Sequence, residues 1–345
     1  MLKKYMEKAK NTNQIKLSIS KKYKTQNTNN TKANKSKKYK IIGIGALLYD
    51  KIYVIERLAH SNESIGIRNV YNSPGGSVAN TIFWLGKYGY KSAFFGSLGD
   101  DKEGKNMADS FKDASVALSY INTLKNSLTD FALTFVDDKE NRTFYTYIKL
   151  DNILTKKNLD KHLQTLKQSE WFFISPHGDK QQIKLVTLLV EKFKKSGGKI
   201  AFSIGVWYKR KLLDKLISIS DVVFLNRTEL AFLTGTSERD FKKGIVKLRK
   251  MCKGIIVNTR GKEGAYVFDE RGKEYFIPTR ARKVVDTTGC GDAFAAGFLN
   301  GLFKGSIKKG IENGTNLSAE VIERYGARNG VGCINFKSGR FKCKK

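Results

Sequence analysis

Short apolar runs alternate with longer amphipathic segments along most of the chain, beginning at Tyr39. The first run, Ile41–Leu47, is punctuated by glycine and predicts a buried strand. Later runs rich in β-branched and aromatic residues predict strands at Ala93–Phe95, Trp171–Ile174, Lys199–Phe202, Val222–Leu225 and Gly254–Asn258. Because segments with helical periodicity separate these runs, the pattern favours an α/β fold with a central, mainly parallel sheet flanked by helices.

Two segments break this alternation. Residues Lys51–Tyr71 and Phe131–Ile148 are extended and half-polar, and the second contains a turn signal at Asp137–Asn141. We expect them to form a small β-sheet that projects from the main body as a lid. The predicted lid covers about 51–72 and 128–150.

The first 38 residues differ in composition from the rest of the chain. They consist largely of Lys, Asn, Thr and Ser, and residues 1–40 hold 13 lysines against one acidic residue, Glu7. Such a segment cannot bury a core. We therefore predict a disordered tail over 1–38, one folded domain over 39–336 and a short basic tail over 337–345.

The chain of 345 residues carries a formal net charge of +32, which is compatible with a polyanionic partner. Beyond the tail, however, the lysines are scattered between apolar positions and form no run interleaved with aromatic residues. A lysine- and asparagine-rich surface is the preferred interpretation, so no specific nucleic-acid partner is expected.

The four cysteines, at positions 252, 290, 333 and 343, form no CxxC pair, and only three histidines accompany them. Neither a disulfide framework nor a structural zinc site is expected, and the histidines are interpreted as surface or satisfied residues. No apolar stretch is long enough to span a bilayer, and no secretory leader is recognisable. We expect a cytoplasmic protein, with organellar targeting by the tail left open.

A glycine-bracketed turn, Asp286–Asp292, separates an extended piece from a helix rich in alanine and phenylalanine. Such a turn directs several backbone N–H groups at one point, and the helix N-terminus adds partial positive charge. Gly289 and Gly291 let an anion approach the backbone closely. Asp292, in the first helical turn, could take a proton from a hydroxyl while the N–H groups hold a transferring phosphoryl group. An ordinary N-cap with an acidic first turn explains the same residues.

Two weaker signals precede this turn. Gly75 and Gly76 open an earlier helix with bare backbone, and Asn80 lies one turn further on. Asn226 and Glu229 follow a predicted strand, at the end where open α/β sheets bind ligands, although a capped helix start fits them equally well. The sequence contains no P-loop, dinucleotide-binding fingerprint or protein-kinase motif.

In this order and spacing, the three signals resemble the PfkB family of carbohydrate and nucleoside kinases, which have the ribokinase-like fold. The resemblance extends from about Lys40 to Asn335 and is most specific at Asp286–Asp292 with the helix that follows. It implies an ATP- and Mg²⁺-dependent phosphotransferase with an alcohol group as acceptor. It leaves open a K⁺ requirement and a homodimer.

The resemblance also assigns a role to each motif. Asp292 corresponds to the catalytic base that activates the acceptor hydroxyl. The anion hole for the γ-phosphate would consist of Gly289, Cys290 and Gly291. The acceptor pocket would consist of Asp50, Gly75, Gly76 and Asn80.

On the nucleotide side, Asn226 and Glu229 would organise Mg²⁺ and the ATP phosphates through water, without a direct protein ligand to the metal. The other residues implied for ATP and Mg²⁺ binding are Thr259, Gly261 and Gly264 beside the nucleotide, Asn316 near the adenine, and Arg142, on a lid strand, near the phosphates.

Some positions depart from the family pattern. Cys290 replaces the usual alanine of the anion hole, and its thiol is either inert or redox-sensitive. Ser77 and the closing Gly326–Arg328 resemble adenosine kinases, and they favour the primary hydroxyl of a ribonucleoside over a sugar such as ribose or fructose. The lid residues expected to stack on a base are Phe131, Phe135 and Tyr145. A rival hypothesis is a non-catalytic binding protein with the same fold.

Overall fold

The computed structural model describes residues 38–139, 141–150, 154–175, 177–205, 210–281, 283–328, 334–335 and 340–341. The secondary-structure elements all belong to one unit, Tyr39–Lys345. The tails predicted at 1–38 and 337–345 lie almost entirely outside the described residues. Their disorder and the bounds of the domain remain predictions.

Sixteen strands occur in the described residues. Numbered along the chain, they are β1 (Tyr39–Ile44), β2 (Tyr49–Ile55), β3 (Ile67–Pro74), β4 (Ser92–Gly99), β5 (Val116–Ala117), β6 (Ile121–Leu124), β7 (Phe131–Val136), β8 (Arg142–Tyr147), β9 (Ser169–Ile174), β10 (Lys199–Ser203), β11 (Val222–Asn226), β12 (Ile255–Thr259), β13 (Ala265–Phe268), β14 (Glu274–Ile277), β15 (Ile334–Asn335) and β16 (Arg340–Phe341).

Nine α-helices accompany these strands in the part of the chain that the structure describes. They are α1 (Ser77–Lys87), α2 (Lys102–Asp113), α3 (Leu159–Leu166), α4 (Lys180–Lys195), α5 (Asp214–Ile219), α6 (Arg227–Thr234), α7 (Phe241–Arg249), α8 (Cys290–Phe303) and α9 (Ile307–Val321).

A ten-stranded sheet forms the body of the protein, in the order β14-β13-β12-β11-β10-β9-β1-β4-β5, with β6 also paired to β4. The strands from β12 through β1 to β5 run parallel, and β13 and β14 add an antiparallel edge. Each strand predicted from the sequence falls within this sheet. The α/β prediction is therefore confirmed.

Alternation along each buried strand distributes its side chains between two cores. In β1, Ile41 belongs to the core on one face and Ile42 to the core on the other, and Phe172 and Phe173 of β9 divide in the same way. Because successive side chains of a strand point to opposite faces, a strand covered on both sides must be apolar throughout. Helices α1, α2, α8 and α9 contribute to the core on the first face, and α3 to α7 contribute to the core on the second.

A separate four-stranded sheet, in the order β3-β2-β7-β8, forms the lid. Strands β2 and β3 come from the first predicted lid segment and β7 and β8 from the second, and the two hairpins join through parallel pairing of β2 with β7. The prediction of a small second sheet is confirmed. No helix in the described ranges combines the length and apolarity needed to cross a bilayer.

The sheet brings one edge to the lid. Strand β1 pairs with β4 on one side and with β9 on the other. The order of strands therefore extends from β1 towards both edges of the sheet, which makes β1 a topological switch point. Open α/β sheets bind ligands at such a switch point, outside the carboxyl ends of the strands. This edge holds the candidate site.

Candidate active site

A cavity of about 750 Å³ lies at the carboxyl ends of five neighbouring parallel strands. Its walls begin with residues that end or directly follow these strands: Ala46 after β1, Ser175 after β9, Ser203 in β10, Asn226 in β11 and Thr259 in β12. Residues of the lid strands and the first turns of α1 and α8 complete the lining. Volumes of 300–1,000 Å³ are typical of small-molecule sites.

Asp292 lines this cavity from the first turn of α8. Ser77 Oγ donates a hydrogen bond to Asp292 Oδ1 at 2.6 Å, and Asn80 Nδ2 donates to Oδ2 at 2.8 Å. Burial raises the pKa of Asp292 above its ordinary value, while these two hydrogen bonds and the nearby Arg328 lower it. The carboxylate is thus fixed in direction, and a raised pKa makes it a better proton acceptor than an exposed aspartate.

The turn before α8 is organised around the buried carboxylate of Asp286. That carboxylate accepts hydrogen bonds from the backbone N–H of Thr288 at 2.8 Å and of Gly326 at 2.9 Å, and it forms an ion pair with Arg142 at 2.7 Å. Arg142 also donates to Thr288 Oγ1 at 2.9 Å. A lid strand is therefore attached to the turn that leads into the predicted anion hole.

Gly289 and Gly291 differ in the physical reason for which the turn has no side chain there. Gly289 has a φ of 75°, and a Cβ there would collide with Ala327. At Gly291 a Cβ would meet no atom within 4 Å, because this residue faces the open cavity. The backbone N–H of Cys290 donates to the carbonyl oxygen of Thr287 at 3.3 Å, so this member of the predicted anion hole already has an acceptor. The first-turn N–H groups of a helix have no partner within the helix, which leaves the N–H of Gly291 available to an anion.

Cys290 lies between these glycines. Burial, together with the charges of Asp286 and Asp292, raises the pKa of its thiol to about 12. A thiol with such a pKa is protonated at neutral pH and is a poor nucleophile. The structure favours the inert alternative over the redox-sensitive one.

Of the predicted acceptor residues, Gly76 lines the cavity, whereas Asp50, Gly75 and Asn80 are not among its lining residues. Gly76 has a φ of 87°, and a Cβ there would lie 2.6 Å from the carbonyl oxygen of Ala46. Gly75 packs directly against the carboxylate of Asp50, where any side chain would collide. Burial raises the pKa of Asp50 to about 7, with a further rise from Asp292 and a lowering effect of Arg328.

On the nucleotide side, the structure contains the capped helix start at Asn226 and Glu229, and their role in holding Mg²⁺ and the ATP phosphates stays a prediction. Asn226 Oδ1 accepts from the backbone N–H of Glu229 at 2.8 Å, and Glu229 Oε2 accepts from the backbone N–H of Asn226 at 2.7 Å, which is a capping box. Both residues also line the cavity with Thr259. Burial raises the pKa of Glu229 to about 7, and the charge of Asp292 contributes to the rise.

The remaining predicted nucleotide residues lie outside the cavity lining. Gly264 has a φ of 104° and packs against the backbone of Ile277, so its role in the structure is to close the turn after β12. Gly261 belongs to the same turn. Asn316, on α9, accepts a hydrogen bond from Arg280 at 2.7 Å. Their contact with a nucleotide stays a prediction.

The described residues contain no group of three or more His, Cys, Asp or Glu side chains that could hold a metal ion. Asn226, Glu229 and Asp292 contribute side-chain oxygens to the lining of the cavity.

The comparison with known proteins agrees with this geometry. The sequence profile of the pfkB family carbohydrate kinases matches residues 38–332. The chain belongs to the pfkB family. Its members are phosphotransferases that act on hydroxyl groups of sugars or nucleosides, and in general they use ATP with Mg²⁺.

Individual relatives include both sugar and nucleoside kinases. The kinase is 28% identical over 240 residues to a fructokinase of Klebsiella pneumoniae, a match that covers 66% of this chain and 76% of that protein. It is 25% identical over 297 residues to a nucleoside kinase of Methanothermobacter thermautotrophicus, with coverage of 84% and 92%. Ribokinase of Arabidopsis thaliana, solved with ribose and ATP, has the same fold, with a TM-score of 0.72, 23% identity and coverage of 84% and 94%.

The prediction that Phe131, Phe135 and Tyr145 face the acceptor of the kinase is wrong. The residues of β7 and β8 that line the cavity are Ala132, Phe144 and Thr146. Because side chains alternate along a strand, the predicted aromatics lie on the opposite face of the lid. There Phe131 stacks on Tyr147, and Phe135 stacks on Tyr53 and meets the edge of Tyr145.

Sequence reasoning missed three residues of the kinase site. Phe144 lines the cavity with 53% of its surface exposed. His177 also lines it, and its Nδ1 lies 3.3 Å from the carbonyl oxygen of Ser175. Arg328 was noted only as part of a resemblance, yet it is buried beside Asn80 and Gly75. The position of His177 after a predicted strand was a usable signal, whereas nothing in the sequence indicated the contacts of Arg328.

Proposed function

We propose that this kinase transfers the γ-phosphate of ATP to a primary hydroxyl of a ribonucleoside of the adenosine type, with Asp292 as the catalytic base. The observation that carries the proposal is the position of Asp292. Asp292 lines the cavity in the first turn of α8, and Ser77 and Asn80 fix its two carboxylate oxygens.

This arrangement supplies what phosphoryl transfer requires of a protein. A carboxylate has about four acceptor positions, so the bonds from Ser77 and Asn80 leave room for the proton of an acceptor hydroxyl. Asp292 would accept that proton as the hydroxyl oxygen attacks the γ-phosphorus and the bond to the ADP leaving group breaks. The N–H groups near Gly291 would stabilise the charge on the transferring group, because the transition state is loose and catalysis is mainly positioning and electrostatics.

The chain fits Mg²⁺ as a partner of the ATP phosphates. The Glu229 carboxylate lines the cavity with a raised pKa of about 7, and a divalent cation nearby would favour its ionised form. Magnesium keeps several waters and is commonly held by one or two carboxylates plus substrate phosphates. Asn226 and Glu229 would hold it through water, and the ion would neutralise charge on the phosphates.

The lining at the acceptor end favours a nucleoside. Phe144 presents an exposed ring to the cavity, and Leu48, Ala132 and Ile148 add apolar surface. An aromatic ring offers a base a stacking surface, whereas a free sugar needs a polar group for most of its hydroxyls.

A sugar acceptor such as ribose or fructose is the second candidate. It is favoured by the relatives named fructokinase and ribokinase. Thr146, His177 and Ser203 are the polar side chains of the lining that could serve sugar hydroxyls. K⁺ activation, a homodimer and a cytoplasmic location remain further predictions, tested by K⁺ titration of activity, sedimentation and cell imaging.

The test is acceptor-dependent release of ADP from Mg-ATP by the purified full-length kinase. Adenosine, inosine, cytidine, ribose, fructose and fructose 6-phosphate are offered one at a time. The proposal predicts the highest kcat/KM with a purine ribonucleoside. A higher kcat/KM with ribose or fructose would support the second candidate, and no turnover above ATP hydrolysis with any acceptor would contradict both.

A further inference from the structure

Arg328 has an unusual set of partners for a buried arginine. Its Nε donates to Asn80 Oδ1 at 2.9 Å, its Nη1 to Ser110 Oγ at 3.0 Å and its Nη2 to the carbonyl oxygen of Gly75 at 2.9 Å. Its guanidinium also lies 5.0 Å from the ring centre of Phe111. One side chain thus joins α1, α2 and the turn that precedes α1.

These contacts determine the orientation of the Asn80 amide. A guanidinium can only donate hydrogen bonds, so the Asn80 atom that faces Arg328 must be the carbonyl oxygen. The amide nitrogen is therefore directed to Asp292 Oδ2, where it donates at 2.8 Å. Without Arg328, the amide could rotate and place its oxygen against the Asp292 carboxylate, which would replace an attraction with a repulsion.

The same guanidinium fixes the acceptor side of the site. It holds the carbonyl of Gly75, and the Gly75 backbone packs against the carboxylate of Asp50. The residues predicted to grip the acceptor and the predicted base therefore share one anchor. Arg328 itself is 5% exposed and is not part of the cavity lining.

On the basis of the proposed function, we propose that Arg328 is a positioning residue for phosphoryl transfer. It holds the Asn80 amide and the Gly75–Gly76 turn in register with Asp292, and it acts without touching either substrate. The planar fork of arginine is essential to this role, because three donors must reach three acceptors in fixed directions.

Charge adds a second, separable effect. Burial lowers the pKa of Arg328 to about 9, so it remains protonated at neutral pH, and its charge lowers the pKa of both Asp292 and Asp50. The other ionisable groups around Asp292 are Asp50, Glu229 and Cys290, whose pKa values its charge raises, and the Arg142–Asp286 ion pair of the neighbouring loop. Loss of the Arg328 charge raises the pKa of Asp292, and the acidic limb of the pH profile moves to higher pH.

Two substitutions separate geometry from charge. Arg328→Met removes both, and we expect a fall in kcat of about 100-fold, the order expected for a misplaced catalytic group, together with an acidic limb at higher pH. Arg328→Lys keeps the charge without the fork. It should restore the pH limb while kcat stays at least ~10-fold below wild type, because one ammonium cannot hold all three acceptors.

Arg249→Met is the matched control. Arg249 is a half-buried arginine that also donates to backbone carbonyls, at 2.6 Å to Gly254 and 2.9 Å to Asp269, at the end of the sheet away from the cavity. This variant should lower the melting temperature and leave kcat and the pH limb unchanged. The acceptor is the member of the panel with the highest turnover, and ATP affinity is measured for every variant.

A measurement that requires no catalytic turnover makes the test independent of the proposed function. In wild type, the Nδ2 protons of Asn80 should be protected from exchange in NMR spectra, and Arg328→Met should remove that protection. Full protection in Arg328→Met, or wild-type kcat in Arg328→Lys, would overturn the positioning role. A silent wild type with normal protection would instead contradict the proposed function and leave the positioning geometry supported.

Discussion

Arg142 attaches the lid to the turn at Asp286–Asp292, and its removal should destabilise the fold measurably. Arg142 forms an ion pair with Asp286 at 2.7 Å and donates to Thr288 Oγ1 at 2.9 Å. The Asp286 side chain is only 3% exposed and that of Arg142 18%. Both charges are therefore largely removed from water, which distinguishes this pair from ion pairs at the surface.

The free-energy cost of Arg142→Met depends on the contacts that Asp286 keeps after the substitution. Breaking a buried ion pair by removing one partner costs about 3–5 kcal/mol, because the other charge stays buried. Here Asp286 keeps two backbone donors, from Thr288 and Gly326, and the arginine is partly exposed, so we expect a cost at or below the lower end of this range, about 2–3 kcal/mol. For a domain of this size, that corresponds to a fall in melting temperature of roughly 3–5 °C.

The assay is thermal unfolding of the ligand-free protein, with Arg68→Met as the control on the same lid. Arg68 pairs with Asp138 at 2.6 Å, but both side chains are 50% exposed, so its loss should cost about 0–1 kcal/mol. Equal melting temperatures for the two variants would refute the conclusion that the Arg142–Asp286 pair holds the lid to the turn.

Three further outcomes are expected. Gly289→Ala should destabilise the protein by a few kcal/mol in denaturant unfolding, because the φ of Gly289 is 75° and Ala327 occupies the space that a Cβ would need. The control Gly291→Ala should stay within about 1 kcal/mol of wild type, and equal losses of stability in the two variants would contradict this reasoning. Phe144→Ala should raise the KM for adenosine about 10-fold. Tyr145 is similarly exposed on the opposite face of the lid, so Tyr145→Ala should raise the KM less than twofold. The reverse order would show that the face with Tyr145 contacts the acceptor. Burial raises the pKa of Asp292, and activity should be lost as the pH falls through this raised pKa. The acidic limb of kcat/KM should therefore lie above the ordinary aspartate pKa of about 4. A kcat/KM that is constant down to pH 4 would exclude Asp292 as the group whose protonation abolishes activity.

Much of the fold could be predicted because its signals are local. The strands of the central sheet are buried on both faces, so each appears in the sequence as an apolar run, as at Val222–Leu225. The lid segments were distinguishable because they are half-polar. Their sheet order was not predictable, since it depends on the parallel pairing of β2 with β7, residues about 80 positions apart.

Residues of the candidate site were predictable where a single short motif shows why the backbone needs them. The turn at Asp286–Asp292 and the Gly75–Gly76 turn each carry glycines that the backbone requires. The orientation of the lid was not predictable, because alternation divides the side chains of β7 between two faces without indicating which face meets the body. The small Ala132 faces the cavity, and the larger Phe131 and Phe135 do not.

The contacts of Arg328 illustrate the limit of sequence reasoning. Its three acceptors lie 218 to 253 residues away along the chain, on two helices and one turn. No periodicity or spacing links positions so distant, and only the assembled fold brings them together.

The central claim is that Asp292 is the catalytic base, and Asp292→Asn tests it most directly. Asparagine keeps the size of the side chain but cannot accept the proton, so turnover with the best acceptor should fall about 10²–10⁴-fold. The affinity for ATP, measured by calorimetry on the same preparation, should stay within a fewfold of wild type. Wild-type turnover in Asp292→Asn would contradict the assignment, as would a loss of turnover that is fully explained by lost ATP binding.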